Sequence, residues 1–584
     1  MAKGKESTWI DMPLLLDWEL DLMHYSIFTN VYLRTAQEAE HFTLNSSTNR
    51  QRLVNLLPQK SGDKVILKQR GTLEAAQLLF NKSATVANPR GIFFGNTISR
   101  LLEFWGTVLY VWSANDTYTT VTAQGSTADG PGGFAEGINS SGTAYVFAAV
   151  VTDGTVVTAS GNTAVTDADF PTSVIPMPVY LDGYIFIAQQ SDRSIFNSVV
   201  GDPLTWTATG FIDTEEYGGN IVGLARVGKF VVALCENSVE FFRNAGIPAP
   251  NSPLQRVQEL SSRIGCINRA TIATYEDTVY FAGKDTNGMF GIYRIEKNGQ
   301  INKVSNQSVD FLVSQHGDAN GVYGVITSWI PATTGLARPM VAYMIPFESK
   351  WYYGIHCNGG TSLTSGATHN APISLVYDPE LKIWIEIMAT HRDNSGTASY
   401  CAGGWPFPHG TLMKHVDLNA DRAFIMQNAY GGTADNDLAI IGSATAYEVI
   451  DIAGGPSVSN QAIYAKNIIQ WPLTDFGFAG RKTLTGVEIS LSGNADMSSV
   501  FSATGAVQPS FVHHGQYFVS GTGNLATTFS LLQQDFAPPN GELVWTVRTN
   551  LVNFRQQWFQ IFFNILYNVG VNSIRFRITS HEEQ

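Results

Sequence analysis

The middle of this chain, from Leu181 to Arg294, repeats one unit made of a turn, a short apolar run, a second turn and a second run. The equivalent residues Tyr184, Val231 and Val279 are separated by 47 and 48 residues. Four short strands and their hairpin turns consume about 40–45 residues, which is the length of one β-propeller blade. The spacing therefore predicts a β-propeller, and one or two β-sandwiches are the alternative because their turns recur at a similar rate.

Hairpins extend this pattern on both sides. Leu102–Trp105 and Val108–Trp112 flank the turn Gly106-Thr107, and a second hairpin runs from Leu375 to Ile385 around Asp378-Pro379-Glu380. Two segments interrupt the pattern with small and polar residues. We expect Thr117–Asn139 to be a long surface loop or insertion, and the glycine-rich 403–455 to hold loops and a domain boundary.

The two ends of the chain have different patterns. Residues 1–90 are mixed, and Trp9–Glu40 can be read as partly helical. After about 460, apolar and polar residues alternate, as in 487–492 and 574–579, which is typical of antiparallel strands with one wet face. We therefore predict an all-β fold with three parts: a mixed N-terminal segment (1–90), a β-propeller-like domain with loop insertions (91–455) and an additional C-terminal antiparallel β-domain (456–584).

Composition limits the partners of the chain. Of its 584 residues, 44% are hydrophobic, enough for packed cores, and 15% are charged. The net charge is −13, from 36 basic and 49 acidic residues. A protein that grips nucleic acid by its phosphates needs a basic stripe, so the acidic balance argues against tight DNA binding.

The four cysteines and the apolar runs carry no special chemistry. Cys235, Cys266, Cys357 and Cys401 are far apart and form no CxxC pair, so we expect reduced core residues. Acidic residues interrupt the N-terminus before any signal-peptide core can form. The longest apolar run, 144–151, is too short to span a bilayer.

Three short motifs resemble known binding or catalytic motifs but lack the residues or elements that normally accompany them. Gly521–Ala526 fits a dinucleotide fingerprint without the helix that would hold a pyrophosphate. Asp417, Asn419 and Asp421 have calcium-loop spacing, yet Arg422 replaces the turn glycine. His391-Arg392-Asp393 resembles a kinase loop without its partner motifs.

The sequence therefore predicts no catalytic, cofactor-binding or metal-binding residues, and no enzyme. The alternative is a glycan-binding or glycan-cleaving propeller of a phage tail, whose site would use carboxylates. The candidate carboxylates all lie in turns, where aspartate is favoured for conformational reasons alone. They are Asp182, Asp202, Asp277 and Asp285.

Several segments are similar to the tail nozzle proteins, also called packaged-DNA stabilisation or tail hub proteins, of short-tailed (podovirus-type) bacteriophages. The resemblance covers roughly residues 50–320 and weakens after 400. Its strongest segments are Gly201–Trp206, Ile221–Leu224, Glu236–Gly246, Gly265-Cys266, Asp277–Phe281 and Gly291–Ile295, with Arg52–Pro58 and Arg70–Thr72 near the start.

The resemblance implies a structural virion protein, made in the bacterial host cytoplasm and located in the virion tail. It implies a homohexameric ring below the head-to-tail adaptor ring, with residues 1–90 facing the adaptor and other surfaces docking tail fibres or tailspikes. Such a ring closes the channel after DNA packaging and serves as the conduit for DNA ejection. Six copies carry a formal charge of −78, six times the −13 of one chain.

These charges lead to an expectation for the lumen. An acidic lumen repels phosphates and keeps a duplex centred, whereas a basic lumen would bind it. We expect walls of Asp, Glu, Ser, Thr and Asn, through which double-stranded DNA passes without specific binding.

Overall fold

The computed structural model describes part of the chain. The structure is nearly all β, with 64% of residues in strands and 3% in helices. The described residues are 7–12, 52–61, 64–69, 72–75, 89–114, 117–122, 124, 132–306, 309–310, 341–347, 350–357, 373–387, 391–392, 398–399, 410–415, 420–426, 438–443, 467–470, 481–492, 510–515, 533–536, 542–554, 557–563 and 570–581.

The strands are numbered in chain order. The first nine are β1 (Ser7–Met12), β2 (Arg52–Val54), β3 (Leu56–Ser61), β4 (Lys64–Gln69), β5 (Thr72–Ala75), β6 (Pro89–Gly95), β7 (Arg100–Trp105), β8 (Val108–Ala114) and β9 (Thr117–Val121). The next eight are β10 (Gly133–Ile138), β11 (Ala144–Ala149), β12 (Gly154–Thr158), β13 (Asn162–Ala164), β14 (Val174–Leu181), β15 (Tyr184–Gln189), β16 (Ser194–Val199) and β17 (Asp202–Asp213).

The following nine strands are β18 (Ile221–Val227), β19 (Phe230–Cys235), β20 (Val239–Asn244), β21 (Leu254–Arg256), β22 (Gly265–Cys266), β23 (Ala273–Tyr275), β24 (Thr278–Lys284), β25 (Phe290–Ile295) and β26 (Ile301–Lys303). Short 3₁₀ helices lie at Gln258–Leu260 and Arg269–Thr271.

The remaining strands are β27 (Val341–Phe347), β28 (Lys350–Cys357), β29 (Ile373–Asp378), β30 (Ile383–Glu386), β31 (His391–Arg392), β32 (Ala398–Ser399), β33 (Gly410–His415), β34 (Ala420–Met426), β35 (Leu438–Ser443), β36 (Asn467–Gln470), β37 (Arg481–Ser492), β38 (Ser510–Gly515), β39 (Gln533–Phe536), β40 (Glu542–Phe554), β41 (Gln557–Phe563) and β42 (Gly570–His581).

Seven antiparallel blades form the propeller. Blades 1 to 4 are β6–β9, β10–β13, β14–β17 and β18–β21, blade 5 is β22–β26, and blade 6 is β27–β30. Blade 7 consists of β33, β34 and β35 with β5 as its outer strand. Neighbouring blades of the described structure contact one another in sequence around the ring, through their innermost strands at most junctions and through β18 and β24 between blades 4 and 5. Strand β33 of blade 7 contacts β6 of blade 1. The propeller is therefore a closed ring, and the predicted β-propeller is confirmed.

The turns between the first and second strands explain the repeat that the sequence shows. In blade 3, Leu181 pairs with Tyr184 across a two-residue turn. Its central residues, Asp182 and Gly183, have φ values of 52° and 88°. Two consecutive positive φ values favour Asx-Gly, because this turn matches the twist of the flanking strands.

Each hydrophobic cluster in the described blades fills the space between two neighbouring sheets. One cluster joins blades 3 and 4 through residues such as Phe186 and Phe242. Others join blades 1 and 2, blades 2 and 3, blades 4 and 5, and blades 5 and 6. The core is thus a ring of inter-blade layers, which explains the near-continuous apolar strands.

The N-terminal strands enter sheets formed by later parts of the chain. Strand β5 pairs with β35 and completes blade 7. Strand β2 pairs in parallel with β30 of blade 6 and antiparallel with β36, and so joins blade 6 to β41 and β38. Strands β1, β3 and β4 lie in one sheet with β37, β39, β40 and β42. The boundaries at residues 90 and 455 stay predictions, but these pairings cross both.

The C-terminal alternation is confirmed in β42. Its side chains at Ile574, Phe576 and Ile578 are buried, whereas those of Arg575 and Arg577 are exposed. Strand β37 pairs antiparallel with both β40 and β42. The aromatic run 558–563 lies in β41, as expected of a strand.

Three expectations about irregular segments differ from the structure. The segment 117–139 is not an insertion, because it contains β9 of blade 1 and β10 of blade 2. Strand β9 is polar because it is the exposed outer edge of its blade. The segment 403–455 holds β33–β35 of blade 7 rather than loops alone. Trp9 lies in β1 instead of a helix, and residues 13–40 lie outside the described residues.

Candidate functional site

A cavity of about 390 Å³ lies on the propeller axis, between the innermost strands of blades 2 to 6. Close approach of these strands narrows the axis. A Cβ at Gly133 would lie 2.0 Å from the Pro176 carbonyl oxygen, and one at Gly223 would lie 2.4 Å from Ile272 Cδ1. Glycine is therefore required where neighbouring inner strands touch, and the cavity is of small-molecule size.

Four charged side chains line this cavity: Glu136, Arg226, Arg269 and Glu276. Two of them form hydrogen bonds with other groups of the protein. The Glu136 carboxylate accepts hydrogen bonds from the backbone N–H and the hydroxyl of Thr97. Arg226 donates to the Gly228 carbonyl at 3.0 Å. The lining thus contains two acids and two bases, and sequence spacing gave no signal for it because the four residues come from three different blades.

The segment 201–206, singled out from the sequence, anchors blade 3 to blade 2. Asp202 accepts from the Leu204 N–H and the Thr205 hydroxyl, which fixes the turn. Trp206 is 2% exposed, and its ring packs edge-on against Phe170 of the blade 2–3 connection, with centroids 5.0 Å apart. The backbone N–H of Trp206 also donates to the Asp167 carboxylate. This segment is therefore a structural connector.

The segment 236–246 connects blades 3 and 4 in a similar way. Glu240 is 1% exposed, and Arg256 lies 3.0 Å from its carboxylate. Arg256 also donates to the Asp213 carbonyl at 2.9 Å. At the other end of the segment, the Asn244 amide donates to Asp182. A buried carboxylate of this kind needs its cation, so the pair fixes how the two blades meet.

The four turn carboxylates all have protein partners. Asp182 and Asp202 make the contacts just described, and Asp285 accepts from the backbone N–H groups of Asn287 and Met289. Asp277 accepts from the Gly228 N–H and pairs with Lys297 at 2.6 Å. The hydrogen bond from Lys297 lowers the pKa of Asp277. These partners favour a structural role for all four: Asp202 and Asp285 stabilise their own turns, whereas Asp182 and Asp277 join neighbouring blades.

The structure describes only part of the three short motifs. His391 and Arg392 lie in β31, and Asp421 lies in β34. Asp417, Asn419 and the run 521–526 lie outside the described residues. In the described part of the chain, no cluster of His, Cys, Asp or Glu side chains could hold a metal ion. Within the same part, no helix is both long and apolar enough for a membrane crossing.

Two cysteines are confirmed as reduced core residues. Cys235 and Cys266 are buried and free, and burial raises the pKa of each thiol to about 12. The side chains of Cys357 and Cys401 lie outside the described part.

We expect iodoacetamide at pH 8 to alkylate Cys235 and Cys266 roughly 1000-fold more slowly in the folded chain than in urea, since only the thiolate reacts. Peptide mass mapping after timed labelling measures both rates. Equal rates in the two conditions would contradict the buried placement.

Comparison with known proteins gives one family match. Residues 51–323 match the family model described as Phage_stabilise, the β-propeller of bacteriophage P22 Gp10. The match supports a bacteriophage structural tail protein built on a β-propeller. No curated protein sequence matches the chain.

Solved structures resemble the chain only distantly. The N-terminal domain of Nup159 is 10% identical, with 68% of this chain and 99% of that chain covered and a TM-score of 0.34. The extracellular domain of a one-component system from B. thetaiotaomicron is also 10% identical, with a TM-score of 0.34; the match covers 64% of this chain and 40% of that one. A GH74 enzyme of Niastella koreensis is 13% identical, with 46% and 39% covered and a TM-score of 0.28. At such TM-scores these likenesses carry no functional argument.

Proposed function

We propose that this chain is the nozzle, or hub, of a short-tailed phage: a non-enzymatic structural protein of the virion tail. It closes the channel after DNA packaging and serves as the ejection conduit. Six copies form a ring that docks to the head-to-tail adaptor and carries fibres or tailspikes. The observation that carries the proposal is the match of residues 51–323 to the P22 Gp10 propeller family.

The packed axis supports an assembly of several copies. The cavity of about 390 Å³ on the propeller axis is comparable with a pocket for one small molecule. Neighbouring inner strands also approach closely at Gly133 and Gly223, so we infer that a duplex does not pass along the propeller axis. A conduit for DNA must run between copies of the chain, with the propellers as its walls.

Symmetry of the assembled tail tests this proposal. Averaged electron micrographs of tails from phage particles, with this chain located by an antibody fragment, should show six copies around the tail axis. Three-fold or five-fold arrangements would contradict the stoichiometry. A location outside the tail axis would contradict the conduit itself.

The charge of the chain predicts how the conduit treats DNA. With a net charge of −13, the purified protein should not bind duplex DNA at moderate ionic strength, because an acidic chain repels the phosphates and would release few of the counterions condensed on the DNA. Fluorescence anisotropy of a labelled duplex between 50 and 200 mM salt, conditions typical for such tests, measures this. Nanomolar binding that salt abolishes would refute the acidic lumen while leaving the fold intact.

A further inference from the structure

Three uncharged stretches lie at one end of blades 2, 3 and 4 and are called the uncharged rim here: residues 137–143, 199–201 and 244–250. These residues form or adjoin the connections between the first and second strands or between the third and fourth strands, which lie at the same end of each antiparallel blade. None of the three stretches contains a charged residue. The other turns at this end of blades 3 and 4 hold one acid and one base, Asp182 and Lys229, whose charges offset each other. The sequence segments 201–206 and 236–246 both reach this rim.

The rim exposes large apolar side chains. Ile138, Val200 and Ile247 are 48%, 55% and 36% exposed. Single exposed hydrophobic residues are common on protein surfaces, whereas several in a row along one rigid edge indicate a contact surface.

Hydrogen bonds join the three stretches into one preorganised edge. The Ser140 N–H donates to the Gly201 carbonyl at 2.9 Å, and the Gly201 N–H donates to the Gly183 carbonyl at 2.7 Å. In the same turn as Gly183, the Asp182 carboxylate accepts from Asn244 Nδ2, and the side-chain oxygen Oδ1 of Asn244 accepts from the Gly246 N–H. The edge therefore needs little ordering on binding, which lowers the entropic cost of association.

The opposite end of the same blades is acidic. Residues 190–193, 213–216 and 236–238 hold five carboxylates and one arginine. Two copies of a chain with a net charge of −13 repel each other, so a contact between copies is least opposed where one of them presents an uncharged surface. The rim meets that condition, and the acidic end does not.

We propose that the uncharged rim is the surface on which a neighbouring copy of this chain docks in the ring. This inference rests on the proposed function. In a ring of more than two copies the contact is heterologous, so the rim of one copy meets a different surface of the next. The apolar side chains then exclude water from the centre of the contact, while the acidic end remains solvated.

A triple variant, I138D/V200D/I247D, tests the rim in complemented phage particles. All three positions are exposed, so the monomer should keep its thermal midpoint, while incorporation into tails falls about 100-fold or more because three carboxylates enter an apolar contact. Met289→Asp is the matched control, because Met289 is 61% exposed at the opposite end of blade 5 and should assemble like the parent. The serine triple variant I138S/V200S/I247S replaces the aspartate variant if the aspartates disturb folding. It should show a smaller loss of incorporation into tails.

The possible outcomes distinguish failure of the rim proposal from failure of the proposed function. Normal rings from the folded aspartate variant would overturn the rim proposal and leave the proposed function standing. Rings that assemble normally but lose another tail protein would also overturn it, since the rim would then bind that protein. If the parent chain forms no ring in the tail, the proposed function fails first.

Discussion

Replacing Trp206 with alanine should lower the free energy of opening of blades 2 and 3 by about 3–5 kcal/mol, the range for deleting a large buried aromatic side chain. Its indole ring fills the space beside Phe170 and lies 6.3 Å from Phe147 of blade 2, so the deletion leaves a cavity between two sheets. The indole N–H, which donates to the Pro203 carbonyl at 3.2 Å, is also lost.

Hydrogen exchange of the strands in blades 2 and 3 measures this effect, because a chain of this size need not unfold in one step. Phe211→Ala is the matched control. Phe211 is an aromatic residue on the same strand, β17, but is 40% exposed, so its loss should cost about 1 kcal/mol or less. Equal effects of the two substitutions would contradict the inter-blade position of Trp206.

A disulfide between residues 73 and 441 should stabilise the propeller by up to about 5 kcal/mol, since in the chain-entropy model a loop of 100 residues already gives about 4.7. Leu73 of β5 and Ile441 of β35 are directly opposed in blade 7. Opposed residues in an antiparallel pair have Cα atoms about 4.5–5.5 Å apart, within the range that a disulfide spans. The L73C/I441C bond would close the ring covalently.

Denaturation of the oxidised and the reduced variant gives the difference in stability, and a non-reducing gel gives the yield of the bond. The matched control is L73C/I440C. A shift of one residue moves the side chain to the other face of the sheet, so this pair should not form a bond. Efficient cross-linking of the control, or none of L73C/I441C, would show that the N-terminal strand does not close blade 7 in this register.

The blades were predictable from sequence where turn and strand signals agree. The repeat from Leu181 to Arg294 gave hairpins whose turns the structure confirms, such as Asp182-Gly183. These hairpins are local, so short windows of sequence carry the information. The apolar strands were equally clear because neighbouring blades bury them on both sides.

The ring closure was not predictable, because it depends on contacts between distant parts of the chain. Strand β5 has four residues, Thr-Leu-Glu-Ala, too few for a strand pattern to stand out. The segment 117–139 was misread because outer-edge polarity and close-approach glycines look like a loop. Gly137 is such a glycine, since a Cβ there would lie 2.7 Å from the Tyr180 ring. The charged residues at the axis come from several blades and share no spacing.

The path of DNA through the assembled tail tests the central claim most directly. A cryo-electron-microscopy reconstruction of tails that still hold DNA would show the duplex and the propellers in one map. We predict duplex density on the symmetry axis, surrounded by six copies of this chain, with each propeller's own axis filled by protein. Density for DNA along a propeller axis, or a tail channel without this chain around it, would contradict the account.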